Sequence, residues 1–516
     1  MAVKPLTPTL LAFILIMAST VAVVLCPPWK AAELAVSPDS LEYSVAARRV
    51  IENGRYDLPL QGGSLPPRYP PWFSVLGLTP CYFLLGSDLG SGIFCVLIAS
   101  LACVTFAFLI GGRLSGLHGA CMASLLTLAL PGYAYFSRQI LADLPLCALT
   151  LAVAWLAIFA SKDSWPKWQL MGTLAALCFG FKFTGIFVVA GVAAAAHGRH
   201  SFPRWLAAAA PIFMVAAAGA WYNYYTFGSA FRSGYHYWLP VPYDFPFLTF
   251  SLDNIPKNFR VALIDSGLLL LLMFAVTAPK VAVIRNHTGP EFKALLRFSC
   301  AVTVPVLSIY LLYFYTSLRF FLPLTVMFAC LCGAALGGIA AKVLPRPRDL
   351  CFLLCWVCTG LIIYRAVYFE IYTPKLDLVR QVEAVTERGD VIISGIDSLF
   401  LEQSLLETGS RTIWPVSRRV EYASKVIAPR TLNWGEYRPN GPYEIDREQL
   451  KKIGAEDAVP ETALEKLEGI RELVQKGSAV YLDVSQTTPE EVERFRALFE
   501  LEEVSGKLRR LRIAAR

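Results

Sequence analysis

The residues best suited to chemistry lie between Ser37 and Trp72, directly after the first apolar run. The run SPDSLEY has the features of a helix start: a serine N-cap, a proline at the first helical position, and Asp39 where the helix dipole favours an acid. The predicted helix ends at Asn53-Gly54 and carries Glu42 or Tyr43 on the same face as Asp39. Two interpretations of Asp39 stay open here: a carboxylate at the tip of an interfacial helix, or a cap on a surface helix.

Further ionisable residues interrupt or border apolar runs, namely Arg138, Asp143, Lys182 and Arg319. Ionisable groups at membrane depth are costly and indicate function by default. The alternative for Lys182 and Arg138 is that their long side chains reach the lipid headgroups.

Carboxylates and guanidinium groups beside lipid suit one kind of reaction, transfer of a group from a lipid phosphate to a hydroxyl. A carboxylate can accept the proton of the attacking hydroxyl as a general base. Arginine is always charged and fork-shaped, so it can bind the phosphate and stabilise it as it leaves.

The elements that must position these residues are helices in a membrane. The chain has 516 residues, 55% hydrophobic and 17% charged, which is typical of polytopic membrane proteins. Apolar runs of about 20 residues, the length that crosses a bilayer, occur near residues 8–26, 89–111, 116–134, 141–160, 168–181, 183–196, 204–226, 261–279, 294–316, 320–341 and 349–370. This pattern predicts about eleven transmembrane helices, although 168–196 can also be read as one bent helix.

Loop charge predicts the orientation of these helices. The net charge of +8 comes largely from lysines and arginines in short loops, which argues for membrane topology and against a nucleic-acid partner. If residues 70–86 do not cross and the N-terminus is cytoplasmic, every cytoplasmic loop is basic. We therefore interpret 70–86 as a juxtamembrane or re-entrant segment. Asp39, Arg138, Asp143, Lys182 and Arg319 then all face the extracytoplasmic side.

The composition changes to a soluble pattern after Tyr372. Strand-like runs at Val391–Ser394, Thr412–Val416, Ala479–Val484 and Leu508–Ile513 alternate with helical patterns, one of them Pro489–Glu500. We predict a transmembrane domain over residues 1–372, with a first external loop at 27–88, and an extracytoplasmic α/β domain over 373–516.

The order of several short motifs resembles a known family. PDSLEY, RYPPW, SRQILADLPL, FGFKFTG, WYNYYTFGSAFRSGY and SLRFFLPL occur in turn. This order is similar to the GT-C superfamily of glycosyltransferases that use polyprenyl-phosphate sugars, in particular the branch of the protein O-mannosyltransferases and the lipid A aminoarabinose transferase. The resemblance covers about residues 8–345.

The resemblance implies roles for individual residues. It makes Asp39 the general base, Arg68 a contact of the donor phosphate, and Asp143 a residue that binds the acceptor or positions the site. Arg319 resembles the family's late arginine, and we group it with Arg68, Lys182 and Arg138 as donor-phosphate ligands. Tyr69 separates Arg68 from the Pro-Pro pair, where the family has a lysine directly before it. Further acceptor-binding or site-positioning candidates are Glu42, Tyr43 and Tyr69.

These observations predict an inverting glycosyltransferase in the cytoplasmic membrane, with a polyprenyl-phosphate sugar as donor and an extracytoplasmic glycan, lipid or protein as acceptor. No cofactor is required, since cations can neutralise the phosphate; alternatively Asp39, Glu42 and Asp143 can hold a divalent metal. The competing interpretation is a transporter or flippase for lipid-linked sugars, because intramembrane charges also line substrate paths.

Overall fold

The computed structural model describes residues 7–25, 38–59, 64–160, 164–195, 202–238, 243–244, 246–280, 289–368, 376–395, 401, 411–416, 420–422, 425–427, 462–485 and 487–514. The chain forms two compact units. The first comprises Met1–Ala31, Ile93–Tyr222 and Phe250–Glu370, and the second comprises Ala32–Gly92, Asn223–Thr249 and Ile371–Arg516. The last segment of the second unit begins two residues before the predicted boundary at 373.

Helices run through both units. In chain order they are α1 Pro8–Leu25, α2 Pro38–Asn53, α3 Thr79–Leu85, α4 Leu89–Ala129, α5 Pro131–Phe136, α6 Asp143–Ile158, α7 Trp165–Phe181, α8 Val188–Ala195, α9 Phe202–Phe227, α10 Gly234–Trp238, α11 Pro246–Thr249, α12 Ile255–Phe259, α13 Leu268–Thr277, α14 Pro290–Leu312, α15 Leu322–Val343, α16 Pro347–Tyr368, α17 Leu376–Val385, α18 Leu467–Gln475 and α19 Pro489–Arg496.

Among the described residues, 5 helices are long and apolar enough to cross a membrane. They are Pro8–Leu25, Leu89–Ala129, Pro203–Phe227, Pro290–Leu312 and Leu318–Val343. A sixth span results if the segments Leu252–Asp265 and Leu268–Lys280, which are bent by 62° relative to each other, cross as one. The predicted spans 141–160, 168–181 and 183–196 fold as shorter helices, 349–370 lies as far as Tyr368 in the 22-residue helix Pro347–Tyr368, and the count of about eleven stays a prediction.

Two chain breaks fall where the sequence indicates them. Helix α4 contains the 89–111 run and the 116–134 run as far as Ala129, and its backbone departs from helical geometry at Ser115 and at Gly116, where φ is 64°. Only glycine adopts such a φ readily. The 168–196 region breaks at Lys182, whose extended backbone (φ −156°, ψ 129°) separates α7 from a 3₁₀ turn at Phe183–Phe187.

The predicted juxtamembrane segment is also helical. Residues Phe73–Leu78 form a π-helical turn that continues into α3, and this segment packs on α2. The apolar helix Phe73–Leu85 is shorter than the roughly 20 residues that a span needs. Phe83 and Leu84 at its end are each 77% exposed. These features fit the interpretation of 70–86 as a segment that does not cross.

Close packing of α15 on α4 depends on two glycines. A Cβ on Gly333 would lie 2.3 Å from Ala123 Cα, and a Cβ on Gly337 would lie 2.4 Å from Gly119 Cα. Small residues let helix backbones approach closely where lipid offers no hydrophobic driving force. Helix α15 follows directly on the turn that carries Arg319.

Gly337→Leu is therefore expected to force α15 away from α4 and to destabilise the first unit by about 1–3 kcal/mol or more. Thermal unfolding in detergent measures the change. Gly360→Leu is the matched control, because a Cβ at Gly360 meets nothing within 4 Å. Equal unfolding temperatures for the two variants would contradict the packing argument.

The C-terminal segment of the second unit forms a five-stranded sheet in the order β2-β1-β5-β7-β6. The strands are β1 Val391–Ser394, β2 Thr412–Pro415, β5 Val480–Asp483, β6 Phe499–Ser505 and β7 Leu508–Ile513, with a separate antiparallel pair of β3 Val420–Tyr422 and β4 Lys425–Ile427. Strand β1 pairs in parallel with β2 and β5, whereas β7 pairs antiparallel with β5 and β6. Its core includes Ile393, Leu482, Phe495 and Phe499.

Candidate active site

Helix α2 forms as the sequence predicts, from Pro38 to Asn53, with Gly54 at φ 70° behind it. Ser37 lies outside the described residues. Every residue from Asp39 to Arg48 is buried, so α2 is not a surface helix. A cap on a surface helix therefore does not account for Asp39, which is 8% exposed.

Asp39 is paired with Arg68. Arg68 Nη2 donates to Asp39 Oδ1 at 2.8 Å, and the two side chains are 9% and 11% exposed. The same Nη2 also donates to the Tyr69 hydroxyl. Within the described part of the chain, Arg68 Nε is buried and has no hydrogen-bond acceptor. A buried donor of this kind is costly unless an acceptor reaches it.

Glu42 holds the backbone that carries Arg68. Its Oε1 accepts hydrogen bonds from the backbone N–H of Arg68 at 2.5 Å and of Tyr69 at 3.3 Å. Its Oε2 lies 3.8 Å from Arg68 Nη2. Two carboxylates one helical turn apart thus surround one guanidinium, because residues i and i+3 share a helix face. Glu42 thus fixes the backbone of Arg68 and Tyr69 by hydrogen bonds.

The Arg68 guanidinium lies against a cluster of stacked aromatic rings. Arg68 Cζ lies 4.5 Å from the centroid of the Tyr69 ring. Tyr69 stacks on Tyr43 with centroids 4.3 Å apart, and Tyr43 meets Phe73 edge to face at 5.0 Å. Burial alone would lower the pKa of Arg68, but Tyr69, Glu42 and Asp39 raise it well above its ordinary value. The Arg68 guanidinium therefore keeps its positive charge at every relevant pH.

Another acid, Asp57, lies between α2 and Arg68 and links two parts of this segment by hydrogen bonds. Arg49 Nε donates to Asp57 Oδ1 at 2.8 Å, and Ser64 Oγ donates to Asp57 Oδ2 at 2.5 Å. Leu58 and Leu65 exchange backbone hydrogen bonds of 2.8 and 3.0 Å. Burial raises the pKa of Asp57, but the hydrogen bonds from Arg49 and Ser64 outweigh it, so that the pKa lies below its ordinary value.

This lowered pKa predicts a pH dependence of stability. The ionised Asp57 stabilises the folded chain fully above its unfolded pKa of about 3.9, and the contribution is lost as the pH falls through the lower folded pKa. Asp57→Asn should cost about 1.5–3 kcal/mol near neutral pH and flatten the loss of stability below about pH 4. Denaturant unfolding between pH 3 and 7 measures both effects, and parallel curves for variant and wild type would contradict the assignment.

The first unit contains an ion pair of its own, between Lys182 and Asp143. Lys182 Nζ donates to Asp143 Oδ1 at 2.7 Å, with side chains 18% and 6% exposed. Asp143 lies in the first turn of α6, where the helix dipole favours an acid. Lys182 is placed by the break after α7 and lies 4.4 Å from the Phe320 ring centroid. Its ammonium is therefore paired with Asp143, and the role of Lys182 as a phosphate ligand stays a prediction.

The two arginines of the first unit that were predicted to bind phosphate, Arg138 and Arg319, occupy different environments. Arg138 is fully buried in the turn between α5 and α6. Arg319 lies in the 3₁₀ turn Leu318–Phe321 with its Cζ 5.5 Å from the Phe320 ring centroid. Asn258 supports this region, since its Nδ2 donates to the carbonyls of Tyr310, Leu311 and Tyr313 at 2.6–3.1 Å.

Lys182→Met is expected to destabilise the protein by about 3–5 kcal/mol, because it leaves the Asp143 carboxylate buried without its cation. The double variant Lys182→Met, Asp143→Leu should recover most of that loss, since a buried pair can be replaced by apolar residues at little cost. Thermal unfolding of the two variants measures the difference. A double variant no more stable than Lys182→Met would show that Asp143 carries a further interaction.

The structure also bears on the predicted metal ligands. Among the described residues, no group of three or more His, Cys, Asp or Glu side chains is arranged to hold a metal ion. Carboxylate oxygens suit Mg²⁺ or Mn²⁺, but Asp39 Oδ1 accepts from Arg68 and Glu42 Oε1 accepts from backbone amides. A cation at this position would share these carboxylates with the Arg68 guanidinium, and metal binding by Asp39, Glu42 and Asp143 stays a prediction.

Several residues around Lys182 and around Arg68 were not predicted from the sequence. Tyr310 and Phe320 stack at 4.6 Å beside Lys182, and Gly234 and Tyr235 contact the Arg68 segment. The only available signal was the density of aromatic residues in the runs WYNYYTFGSAFRSGY and SLRFFLPL.

Residues 68–222 match the sequence family described as dolichyl-phosphate-mannose-protein mannosyltransferase. The match begins at Arg68. No curated protein sequence matches this chain.

Solved structures with the same fold match a larger part of the chain than the family does. ArnT from Cupriavidus metallidurans bound to undecaprenyl phosphate has a TM-score of 0.58 at 11% identity and covers 96% of both chains. The Archaeoglobus fulgidus oligosaccharyltransferase in complex with Zn and sulfate has a TM-score of 0.52 at 12% identity, over 78% of this chain and 62% of that one.

Both proteins belong to the GT-C superfamily, and this chain has their fold. The predicted resemblance and the predicted fold class, a polytopic helical membrane protein with a small C-terminal α/β domain, are confirmed. The family match covers less than half of the chain, and the solved structures share its fold.

Proposed function

We propose that this protein transfers a monosaccharide from a polyprenyl-phosphate donor to a hydroxyl of an extracytoplasmic acceptor, with inversion at the anomeric carbon. The observation that carries the proposal is the buried Asp39–Arg68 pair at 2.8 Å, with Arg68 Nε left over as a buried donor. The pair places a general base beside a phosphate-binding cation. In one of the similar structures, ArnT, undecaprenyl phosphate is bound.

Arg68 is suited to the donor phosphate for three reasons. Its charge is fixed by the surrounding Tyr69, Glu42 and Asp39, its backbone is held by Glu42, and its free Nε can donate to a phosphate oxygen. Arginine binds phosphate with parallel N–H donors, so Nε and Nη2 can act together. The leaving phosphate is then stabilised by a cation that needs no reorganisation during the reaction.

Asp39 acts as the general base. Its carboxylate accepts the proton of the acceptor hydroxyl as the oxygen forms a bond to the anomeric carbon. The bond between that carbon and the phosphate oxygen breaks, and polyprenyl phosphate leaves with the electron pair. Attack from the face opposite the phosphate inverts the configuration.

The donor phosphate also prepares the base. Without a donor, Arg68 Nη2 donates to Asp39 Oδ1, and a carboxylate beside a guanidinium is a weak base. A phosphate on Arg68 competes for the same donor and draws positive charge away from Asp39. The carboxylate therefore becomes more basic when the donor is in place.

The predicted membrane orientation supports the proposal that the acceptor is extracytoplasmic. Basic cytoplasmic loops place the first external loop and the C-terminal domain outside the cytoplasmic membrane. The family resemblance further implies that Arg319 binds phosphate and that Asp143 binds the acceptor or positions the site, and we keep both roles as proposals. Tyr43 and Tyr69 position Arg68 through the stacked rings.

Purified protein in detergent, incubated with radiolabelled polyprenyl-phosphate sugars and an acceptor extract, tests the proposal. The expected result is label in the acceptor and one polyprenyl phosphate released for each sugar transferred. Absence of release with every donor, together with donor movement across proteoliposomes, would instead establish the transporter interpretation.

A further inference from the structure

A second segment of the same unit packs against Arg68. Gly234, at the start of α10, approaches so closely that a Cβ would lie 2.2 Å from Pro67 O and 2.6 Å from Arg68 Cα. Such distances leave no room for a side chain, so only glycine permits this contact. The backbone at Arg68 is thus held by Glu42 and bounded by the backbone at Gly234.

The next residue, Tyr235, adds a ring to the site. Its ring centroid lies 5.7 Å from Arg68 Cζ and 5.6 Å from the Tyr69 ring centroid, edge to face at 85°. Arg68 therefore lies against two rings, since Tyr69 is at 4.5 Å. Arginine is attracted to aromatic rings within about 6 Å, most strongly where water is excluded.

The loop around Tyr235 is itself braced. Ser233 donates through its backbone N–H to His236 Nδ1 at 3.3 Å, and Arg232 pairs with Asp244 at 2.8 Å. The Tyr243 ring lies 5.1 Å from the Tyr235 ring. These contacts fix α10 and hold the Tyr235 ring toward Arg68.

We propose that Tyr235 is a positioning residue for the donor phosphate, acting through Arg68, and that its aromatic ring rather than its hydroxyl is what matters. The inference rests on the proposed function, in which Arg68 binds the phosphate. Without the ring, the guanidinium gains rotational freedom and must be ordered again by each donor. The cost falls on donor binding, whereas the acceptor and the base at Asp39 are unaffected.

Tyr235→Leu tests the proposal in the full-length protein. We expect the KM for the polyprenyl-phosphate sugar to rise about tenfold, the KM for the acceptor to stay the same, and kcat to change less than twofold. Tyr235→Phe should restore the donor KM to near the wild-type value. Tyr237→Leu is the matched control: it removes a tyrosine of the same helix that meets Phe227 instead, at 6.1 Å.

The result that would overturn the inference is an unchanged donor KM for a folded Tyr235→Leu protein, or a Tyr235→Phe protein as impaired as Tyr235→Leu. If Tyr235→Leu does not fold, Tyr235→Met provides the second test, because its flexible side chain fills much of the space without an aromatic face. It should raise the donor KM alone, with Tyr237→Met as control because Tyr237 meets Phe227 instead. A change in acceptor KM of equal size would contradict positioning of the donor.

Failure of the inference can be told from failure of the proposed function. If Arg68→Ala loses donor binding while Tyr235→Leu keeps it, Arg68 binds the phosphate without help from Tyr235. If Arg68→Ala keeps the wild-type donor KM, the proposed function itself is wrong.

Discussion

Asp39→Asn is expected to lower the rate of sugar transfer by about 10²–10⁴-fold, the usual contribution of a general base. Asparagine has the same shape and still accepts a hydrogen bond from Arg68 Nη2, which the carboxylate receives at 2.8 Å. It cannot take a proton from the acceptor. The donor KM should therefore change little while kcat falls.

Initial rates with saturating donor and acceptor measure this effect. Asp88→Asn is the control, because Asp88 is an acid of the same unit whose Oδ1 accepts from the Ser91 N–H and caps a helix. Transfer by Asp39→Asn at more than about a tenth of the wild-type rate would be incompatible with general-base catalysis by Asp39.

Arg68→Ala should have the second large effect, on donor binding and on stability together. Removal of the guanidinium takes away the proposed phosphate ligand and leaves Asp39 and Glu42 buried beside each other, at 8% and 1% exposure. We expect the donor affinity to fall by about 10²-fold, in line with one lost charge-assisted contact. The free energy of unfolding should fall by about 3–5 kcal/mol.

Arg68→Lys separates charge from shape. Lysine keeps the positive charge but lacks the planar fork, so it cannot offer two parallel donors to a phosphate. It should restore most of the stability and only part of the donor affinity. Arg260→Ala serves as control, because that arginine is 76% exposed. Full donor affinity in Arg68→Lys would show that the site needs only a charge.

The sequence was sufficient to place Asp39 and Arg68 on the elements that carry them. The SPD start and the Asn-Gly stop define α2, because capping and left-handed glycine are local properties of the chain. The pairing of Asp39 with Arg68 was not predictable in the same way. It depends on how the chain returns to the helix over a separation of 29 positions.

Lys182 shows that the partner of a charged residue cannot be predicted from its own position in the sequence. The lysine interrupts an apolar run, which marks it as functional or lipid-facing, but its partner Asp143 is 39 residues away. Only the packing of α6 against α7 brings the two together. Tyr235 was missed for a related reason, since aromatic residues are frequent at membrane interfaces and only contact with Arg68 distinguishes this one.

Strand β6 shows how long-range pairing overrides local pattern. The sequence predicted a helix from Pro489 to Glu500, but the helix ends at Arg496 and a strand begins at Phe499. Glutamates normally disfavour strands. Here Glu500, Glu502 and Glu503 lie opposite Arg512, Arg510 and Arg509 of β7, and Arg512 binds Glu502 through two hydrogen bonds of 2.7 and 2.8 Å.

The central claim is that Asp39 and Arg68 divide one reaction between them, the first as base and the second as phosphate ligand. The most direct test measures donor binding and single-turnover transfer for Asp39→Asn and Arg68→Lys with the same polyprenyl-phosphate sugar. We predict a crossed pattern: Asp39→Asn binds the donor normally and fails to transfer, whereas Arg68→Lys binds it weakly but transfers from the bound state. Wild-type transfer by Asp39→Asn, or normal donor binding by Arg68→Lys, would contradict this division.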